Sequence, residues 1–523
     1  MNKENNIIEE NRLDKIKKIF PRFTDIVGLR RMSDYRKYRF LEIIPGAAVW
    51  LTFVAAIILS IFRPIWAIYF IIVFDLYWLF RVIYMITYTV IGYKNLRRDS
   101  RVNWQNKIKE LENWQDIFHL VILPTYQEDY SVIKDSFESL ASVAYPLDKL
   151  IVVLAGEERD QNNFLPIANR IKKEYGRRFY KFLITVHPKD LAGEIPGKGS
   201  NAHWAGKKAK LLIDQLEISY ENVLVSSFDV DTCAHPQYFS YLTYKFKTVS
   251  DPLHASYQPV AQFHNNIWQS NMLMRVVSNS TTFWLMSEQI RPDRLFTFSS
   301  HSMPFSALVD VGFWQNDIVT EDSRIFLQGL LRYDGRYRVV PMHIPISMDT
   351  VMAKSFWQSL KNLYFQQRRW AYGVENFPYM AWHFMRNNQI KLSTKVKYIW
   401  NQLEGVYSWA TVPIIIFLLG RLPFLFIDEG YYSLSVVQNA PKLLEILLTI
   451  AMAGLFLMAI INTLMLPAKP VSQPKIKYLL MVIQWILFPV TMILFGSIPA
   501  TEAQTRLMFG KYLGFHVTRK SRN

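Results

Sequence analysis

The sequence predicts an α/β domain set between two groups of membrane-spanning helices. Long uncharged apolar runs lie toward both ends of the chain. Between Asn103 and Lys397, short β-type runs alternate with helix-like stretches, and basic residues crowd the ends of the apolar runs. With 523 residues, half of them apolar, the chain is too long for one ordinary domain and suits a unit in lipid beside one outside it. A formal net charge of +17 serves nucleic acid, lipid headgroups or phosphorylated substrates equally well, so position must decide. Much of that charge flanks the apolar runs and no nucleic-acid motif is present, so no nucleic-acid partner is expected. The single cysteine, Cys233, excludes an internal disulfide framework and suits a reducing compartment.

The elements follow in order. Residues 1–42 form a basic N-terminal segment, with Lys15, Lys17, Lys18, Arg30, Arg31, Arg36 and Lys37 preceding any apolar run, so no secretory signal peptide is expected. Residues 43–91 read as a transmembrane hairpin. One run extends from Ile43 to Phe62, Arg63 and Pro64 make the turn, and a second run continues from about Ile65 to Ile91. Arg36, Lys37 and Arg39 before it, and Lys94, Arg97, Arg98 and Arg101 after it, place both flanks in the cytoplasm. Asp75 and Arg81, inside the second run, face the bundle interior or serve transport.

Residues 103–350 form the α/β domain, on a largely parallel sheet with strands at Phe118 to Leu123, Leu150 to Leu154, Phe182 to Val186 and Val223 to Phe228. Residues 351–397 read as amphipathic interface helices. Residues 406–498 hold three further apolar runs, about Val406 to Phe426, Ile446 to Leu466 and Tyr478 to Ile498. The tail, 499–523, is basic. Five crossings from a cytoplasmic start would leave that tail outside, against its charge, so one late run is expected to be re-entrant or interfacial.

Candidate chemistry gathers at strand ends. The first strand runs into Thr125, Tyr126 and Glu128, at the carboxyl edge where open α/β sheets bind ligands. The fourth runs into Asp229-Val230-Asp231, whose carboxylates point into nearly the same volume and suit a hard cation, Mg²⁺ or Mn²⁺, able to bridge to a diphosphate. Gly197-Lys198-Gly199-Ser200-Asn201 reads as a loop that admits phosphate oxygens, or as a solvated turn. In Thr320-Glu321-Asp322 the threonine caps a helix with an acidic first turn, or a carboxylate there acts as general base toward an acceptor hydroxyl. Gln366-Gln367-Arg368-Arg369-Trp370 closes an amphipathic helix able to present Arg369 to a diphosphate and the Trp370 ring to a sugar.

Taken in order, Lys198, Asp229-Val230-Asp231, Thr320-Glu321-Asp322 and Gln366-x-x-Arg369-Trp370 resemble the motif series of the family 2 glycosyltransferases. The likeness is to the membrane-integrated branch containing cellulose, chitin and hyaluronan synthases, and covers roughly Phe118 to Trp370. The resemblance implies a Rossmann-like GT-A type catalytic domain joined to an α-helical transmembrane bundle. It also implies a multi-pass protein of the cell membrane, with that domain cytoplasmic. Asp322 would be the catalytic base of an inverting transfer. Thr125, Tyr126, Glu128, Glu157, Lys198, Asp229, Gln366 and Arg369 would bind a nucleotide-sugar donor, a UDP-sugar being favoured. Asp229 and Asp231 would hold Mg²⁺ or Mn²⁺. Trp370, Glu321 and His301 would meet the acceptor, a glycan or a lipid-linked molecule.

The tail Phe515-His516-Val517-Thr518-Arg519-Lys520 resembles the gating segment of cellulose synthases, with Phe515, Val517, Thr518 and Lys520 in the matching positions. Two departures stand out. Leu154-Ala155-Gly156-Glu157-Glu158 lacks the base-contacting aspartate usual after the second strand, so Glu157 substitutes or base recognition differs. Phe298-Ser299-Ser300-His301-Ser302 stands where the family often has Gly-Thr-Asn. The implied activity is sugar transfer, either processive polysaccharide synthesis or single addition. A transporter with an accessory domain is the rival of another class, and would release no nucleoside diphosphate.

Overall fold

The computed structural model describes residues 32–514; the N-terminal residues before them, and the tail positions Phe515, Val517, Thr518 and Lys520, lie outside the described residues. Helix α1 (Met32–Phe62) and helix α2 (Pro64–Asp99) form an antiparallel pair. The turn is local chemistry: Arg63 leaves helical geometry and Pro64 opens the next helix, where its missing N–H costs nothing.

The domain that follows is built on one eight-stranded sheet. Its strands are β1 (Phe118–Pro124), β2 (Leu150–Glu157), β3 (Lys181–His187), β4 (Val223–Ser227), β5 (Cys233–Ala234), β6 (Ala255–Gln262), β7 (Ser302–Pro304) and β8 (Arg338–Ser347). The order across the sheet is β3-β2-β1-β4-β7-β6-β8-β5. The first four strands are parallel, but β7 runs antiparallel to both β4 and β6, and β5 antiparallel to β8. The sheet is thus mixed but largely parallel, as expected: β6 and β8 pair in parallel and run with β1–β4, and only the short β5 and β7 oppose them. Strands of two and three residues, such as β5 and β7, are too short to show a period in the sequence.

Strands β1 and β2 are apolar on both faces. Val121, Leu123, Val152 and Leu154 pack into one core and Leu120, Ile122, Ile151 and Val153 into the other, as expected for parallel strands covered on both sides. Helices α3 (Lys198–Gln215), α4 (Met272–Glu288), α5 (Glu321–Arg332) and α6 (Phe356–Ala371) complete what positions the site. The glycine-flanked lysine thus lies not in a loop, as its composition suggests, but in the first turn of α3.

Helices α7 (Leu392–Phe417), α8 (Ser435–Met465) and α9 (Ile476–Met508) follow. Among the described residues, α1, α2, α8 and α9 are each long and apolar enough to cross a membrane. The sequence run from Val406 to Phe426 is not one helix. It breaks by 40° between α7 and a short 3-10 helix, Leu419–Leu425, which contains Gly420 and Pro423. Counting that bent pair as a span gives up to five crossings. Large apolar side chains, among them Leu51, Trp66, Phe80, Phe456 and Ile486, lie exposed on the outer faces of these helices, as lipid-facing surface requires. Arg81, inside α2, is held by Glu404 of α7 at 2.5 Å, the bundle-facing arrangement expected of an ionisable group there. Helix and domain meet closely at Gly92, where a Cβ would lie 2.6 Å from the Met286 carbonyl of α4.

Candidate active site

The site lies at the carboxyl ends of β1, β2 and β4, where the first turns of α3 and α5 converge. Lys198 begins α3, and its Nζ lies 2.6 Å from Asp229 Oδ1, 2.6 Å from Asp322 Oδ2 and 3.9 Å from Glu321 Oε1. Gly199 lets the two helix starts approach, since a Cβ there would meet the Gln315 carbonyl at 3.1 Å and Glu321 Cβ at 3.2 Å. Burial pulls the Lys198 ammonium toward losing its proton, but the Asp229 and Asp322 carboxylates outweigh it and hold its pKa well above the usual lysine range.

Glu321 behaves differently from its neighbour. Both its carboxylate oxygens are buried with no hydrogen-bond partner among the described residues. Burial, and then the charge of Asp322, push its pKa up to about 8, against the pull of Lys198 and Arg369. Asp322 keeps some exposure at the mouth of the site, and its backbone carbonyl accepts from Thr297 Oγ1 at 2.6 Å. Thr320 stands at the N-cap position without capping. Its hydroxyl donates instead to Glu375 Oε1 at 2.6 Å, which ties the start of α5 to the segment after α6.

His301 lies 3.8 Å from Asp322 Oδ1, yet this is no ion pair. Burial lowers its pKa, keeping the ring neutral, and its Nδ1 must carry the proton because the atom it meets at 2.9 Å is the Phe298 carbonyl. The neighbouring Ser300 adopts φ +63° and brings its Oγ within 2.8 Å of Thr232 Oγ1, close behind the Asp229 backbone.

Asp231 is fully buried, and Oδ2 accepts from the Asp349 backbone N–H at 2.8 Å. Asn265 Nδ2 donates to the Asp231 carbonyl at 2.9 Å and to Asp349 Oδ1 at 3.0 Å. This clamp follows from the sheet: β5, directly after the acidic pair, lies beside the end of β8 and brings Asp231 to Asp349. Among the described residues no three His, Cys, Asp or Glu side chains gather as a ready-made metal cage. Two carboxylates at a strand end nevertheless suit Mg²⁺ or Mn²⁺, ions bound through one or two protein carboxylates and completed by phosphate and water.

At the ends of β1 and β2, Thr125 is buried, with its N–H on the Ala155 carbonyl at 2.8 Å. The Arg159 guanidinium covers the Tyr126 ring at 3.9 Å while its Nε meets Glu157 Oε2 at 2.5 Å. Glu128 and Glu157 are buried in the same region. Gln366 and Arg369 are half-buried on α6, and Trp370 packs toward Phe263 with ring centroids 6.2 Å apart. Helix α6 is held against α9 through Glu502, which accepts from Arg368 Nη1 at 2.7 Å and from Tyr364 Oη at 2.6 Å.

The structure therefore brings Lys198, Asp229, His301, Glu321 and Asp322 together, with Asp231 adjoining through the strand end. Sequence reasoning missed Asn265, Asp349 and Glu375, and also Arg324, which joins Gln315 at 2.8 Å to Asn376 at 2.7 Å. An arginine three residues after Glu321, next to the apolar Ile325 and Phe326, was the signal available for Arg324; the others carry none.

Residues 224–495 match the profile of a family described as "Glycosyl transferase family group 2". No curated protein matches the chain. Among solved structures, the chain is similar to the mannosyltransferase PcManGT from Pyrobaculum calidifontis in complex with GDP-Man and Mn²⁺. The identity is 14% and the TM-score 0.39, covering 82% of this chain and 99% of that one. It is also similar to TarS 1-349 of S. aureus, at 11% identity and a TM-score of 0.35, covering 64% of this chain and 91% of that one.

Proposed function

We propose, from the premise that the chain belongs to glycosyl transferase family group 2, that it moves a sugar from a nucleotide-sugar donor to a glycan or lipid-linked acceptor, inverting the anomeric centre. The observation that carries this reading is the single ammonium of Lys198 shared between Asp229, at the end of β4, and Asp322, at the start of α5. It sets a carboxylate suited to a diphosphate-bound cation beside one suited to take a proton.

In this reading Asp322 removes the proton from the acceptor hydroxyl as that oxygen attacks the anomeric carbon. A carboxylate in the first turn of a helix is rigid, and the Lys198 contact fixes its orientation. Asp229 and Asp231 would hold Mg²⁺ or Mn²⁺, which when bound neutralises charge developing on the departing nucleoside diphosphate. Lys198, at the same junction, supplies a fixed positive charge to the donor phosphates. Glu321, carrying its proton at neutral pH, adds no second negative charge beside Asp322. Attack from the Asp322 side, opposite the diphosphate, inverts the centre.

The basic flanks of α1 and α2 support, by the positive-inside rule, a domain on the cytoplasmic face. A bent pair that enters without crossing would leave four spans and return the chain to that face after α9.

The test is nucleoside diphosphate release from a panel of nucleotide sugars by detergent-purified protein, with Mg²⁺, with Mn²⁺ and with chelator, beside Asp322→Asn. Metal-dependent release from one donor, lost in the variant, is expected. Release that ignores both chelator and variant would overturn the assignment.

A further inference from the structure

We propose that the protein binds the phosphate headgroup of an anionic lipid in a cavity between the membrane helices and the sheet, apart from the transferase centre. The cavity has a volume of about 280 Å³ and opens where α2 and α8 both end. Helix α2 and the two residues after it contribute Leu96, Arg97, Ser100 and Arg101, the end of β6 contributes Gln262, and the last turn of α8 contributes Leu464.

Three features set it apart from an ordinary basic helix end. No acidic side chain among the described residues lines it, so Arg97 and Arg101, four positions apart, border a space without a carboxylate. Ser100 also lines the cavity, and its hydroxyl is buried with no hydrogen-bond partner among the described residues. Finally, the wall changes character: Leu96 and Leu464 are apolar, whereas the arginines and Gln262 are polar.

A phosphate oxygen meets these demands together. Guanidinium forks recognise phosphate bidentately, and a hydroxyl supplies a further donor. The apolar wall, at the ends of two membrane-spanning helices, suits the chain that carries the phosphate. The positive-inside rule explains basic residues anywhere around a helix end. It does not explain a concave site with a buried hydroxyl and no counter-ion. This inference rests on the membrane placement and not on the transferase chemistry.

Free phosphate shares the headgroup's chemistry, so the experiment separates the two. Delipidated full-length protein in detergent is mixed with phosphatidic acid, with phosphatidylcholine or with inorganic phosphate. Retained lipid is then counted by native mass spectrometry and the unfolding midpoint measured. Phosphatidic acid is expected to be retained and to raise the midpoint, with the other two doing neither.

Arg97→Gln/Arg101→Gln should lower retention by about tenfold or more, the equivalent of one lost charge-assisted hydrogen bond. Lys37→Gln/Lys94→Gln, which removes equal charge from exposed positions outside the cavity, should retain lipid as the parent does. Ser100→Ala, which leaves the charge intact, should show a smaller loss and remains a test if the arginine variant fails to fold. Equal retention in parent, arginine and serine variants would overturn the site, as would equal loss in the lysine control. A midpoint raised as much by inorganic phosphate would overturn the lipid as its occupant.

Discussion

Lys198 and Asp322, 124 positions apart in the chain, are joined by a 2.6 Å hydrogen bond. The same ammonium lies 2.6 Å from Asp229. One cation therefore ties the two acidic motifs into a single electrostatic unit, and altering any member should be felt by the others.

Asp322→Asn keeps size and hydrogen bonding but cannot take a proton. Donor affinity should stay within about twofold, while transfer falls on the order of 10²–10⁴-fold, the range of a lost general base. Isothermal titration with the donor and a diphosphate-release assay check the two halves. Unchanged turnover would remove Asp322 from the role of base.

Lys198→Met leaves two carboxylates facing one another without their counter-ion. Removing one partner of a buried ion pair costs about 3–5 kcal/mol. The lower end is expected here because the Asp229 and Asp322 side chains keep 25% and 18% of their exposure. The unfolding midpoint should fall, and Lys198→Met/Asp322→Asn should recover part of the loss. Purely additive losses in that double-variant cycle would refute the coupling.

Glu321 makes stability depend on pH. In the folded chain its pKa is raised from 4.5 to about 8 by burial and by Asp322, so between those values the folded state holds a proton that the unfolded state has released. Stability then declines as pH rises across that window and levels off beyond it. Glu321→Gln should match the parent near the low end of the window and gain on it steadily toward the upper end. A constant difference in unfolding midpoint across the window would show that Glu321 is not the group responsible.

Asp229→Ala and Asp231→Ala should each weaken the metal dependence of donor binding. Asp231→Ala should also lower stability, because the Asp349 N–H loses its acceptor at 2.8 Å and a buried donor left unsatisfied costs about 1–3 kcal/mol. Donor affinity measured with Mn²⁺ and with chelator distinguishes the effects. Parent-like values in both conditions would refute the assignment of these carboxylates to a cation.

The first four strands were legible because continuous apolar runs bounded by polar turns are local patterns, and each candidate strand falls within or beside its observed counterpart. The membrane pair was legible for the same reason, through run length and flanking charge. Less legible was the second half of the sheet. Strand β8 includes Pro341 and Pro345 and meets β6 across a register irregularity at Pro259 and Val260, so its residues follow no clean alternation. Composition also misplaced Lys198 in a loop, because glycines on either side of a lysine look alike in a turn and in a helix start.

By itself the sequence determined which groups are available. It held two carboxylates at a strand end, an acidic first turn, a lysine among glycines, a basic aromatic helix, and apolar runs of membrane length. These are properties of neighbouring residues and are written in spacing. Tertiary structure alone decided that Lys198 bridges Asp229 and Asp322, that Asn265 and Asp349 clamp Asp231, that Thr320 serves Glu375 rather than its own helix, and that Glu321 is buried beside Asp322. Each of these joins residues distant in the chain or depends on what covers them. The energy of such contacts, and the pKa shifts that burial imposes, exist only once the strands have paired and water has been excluded.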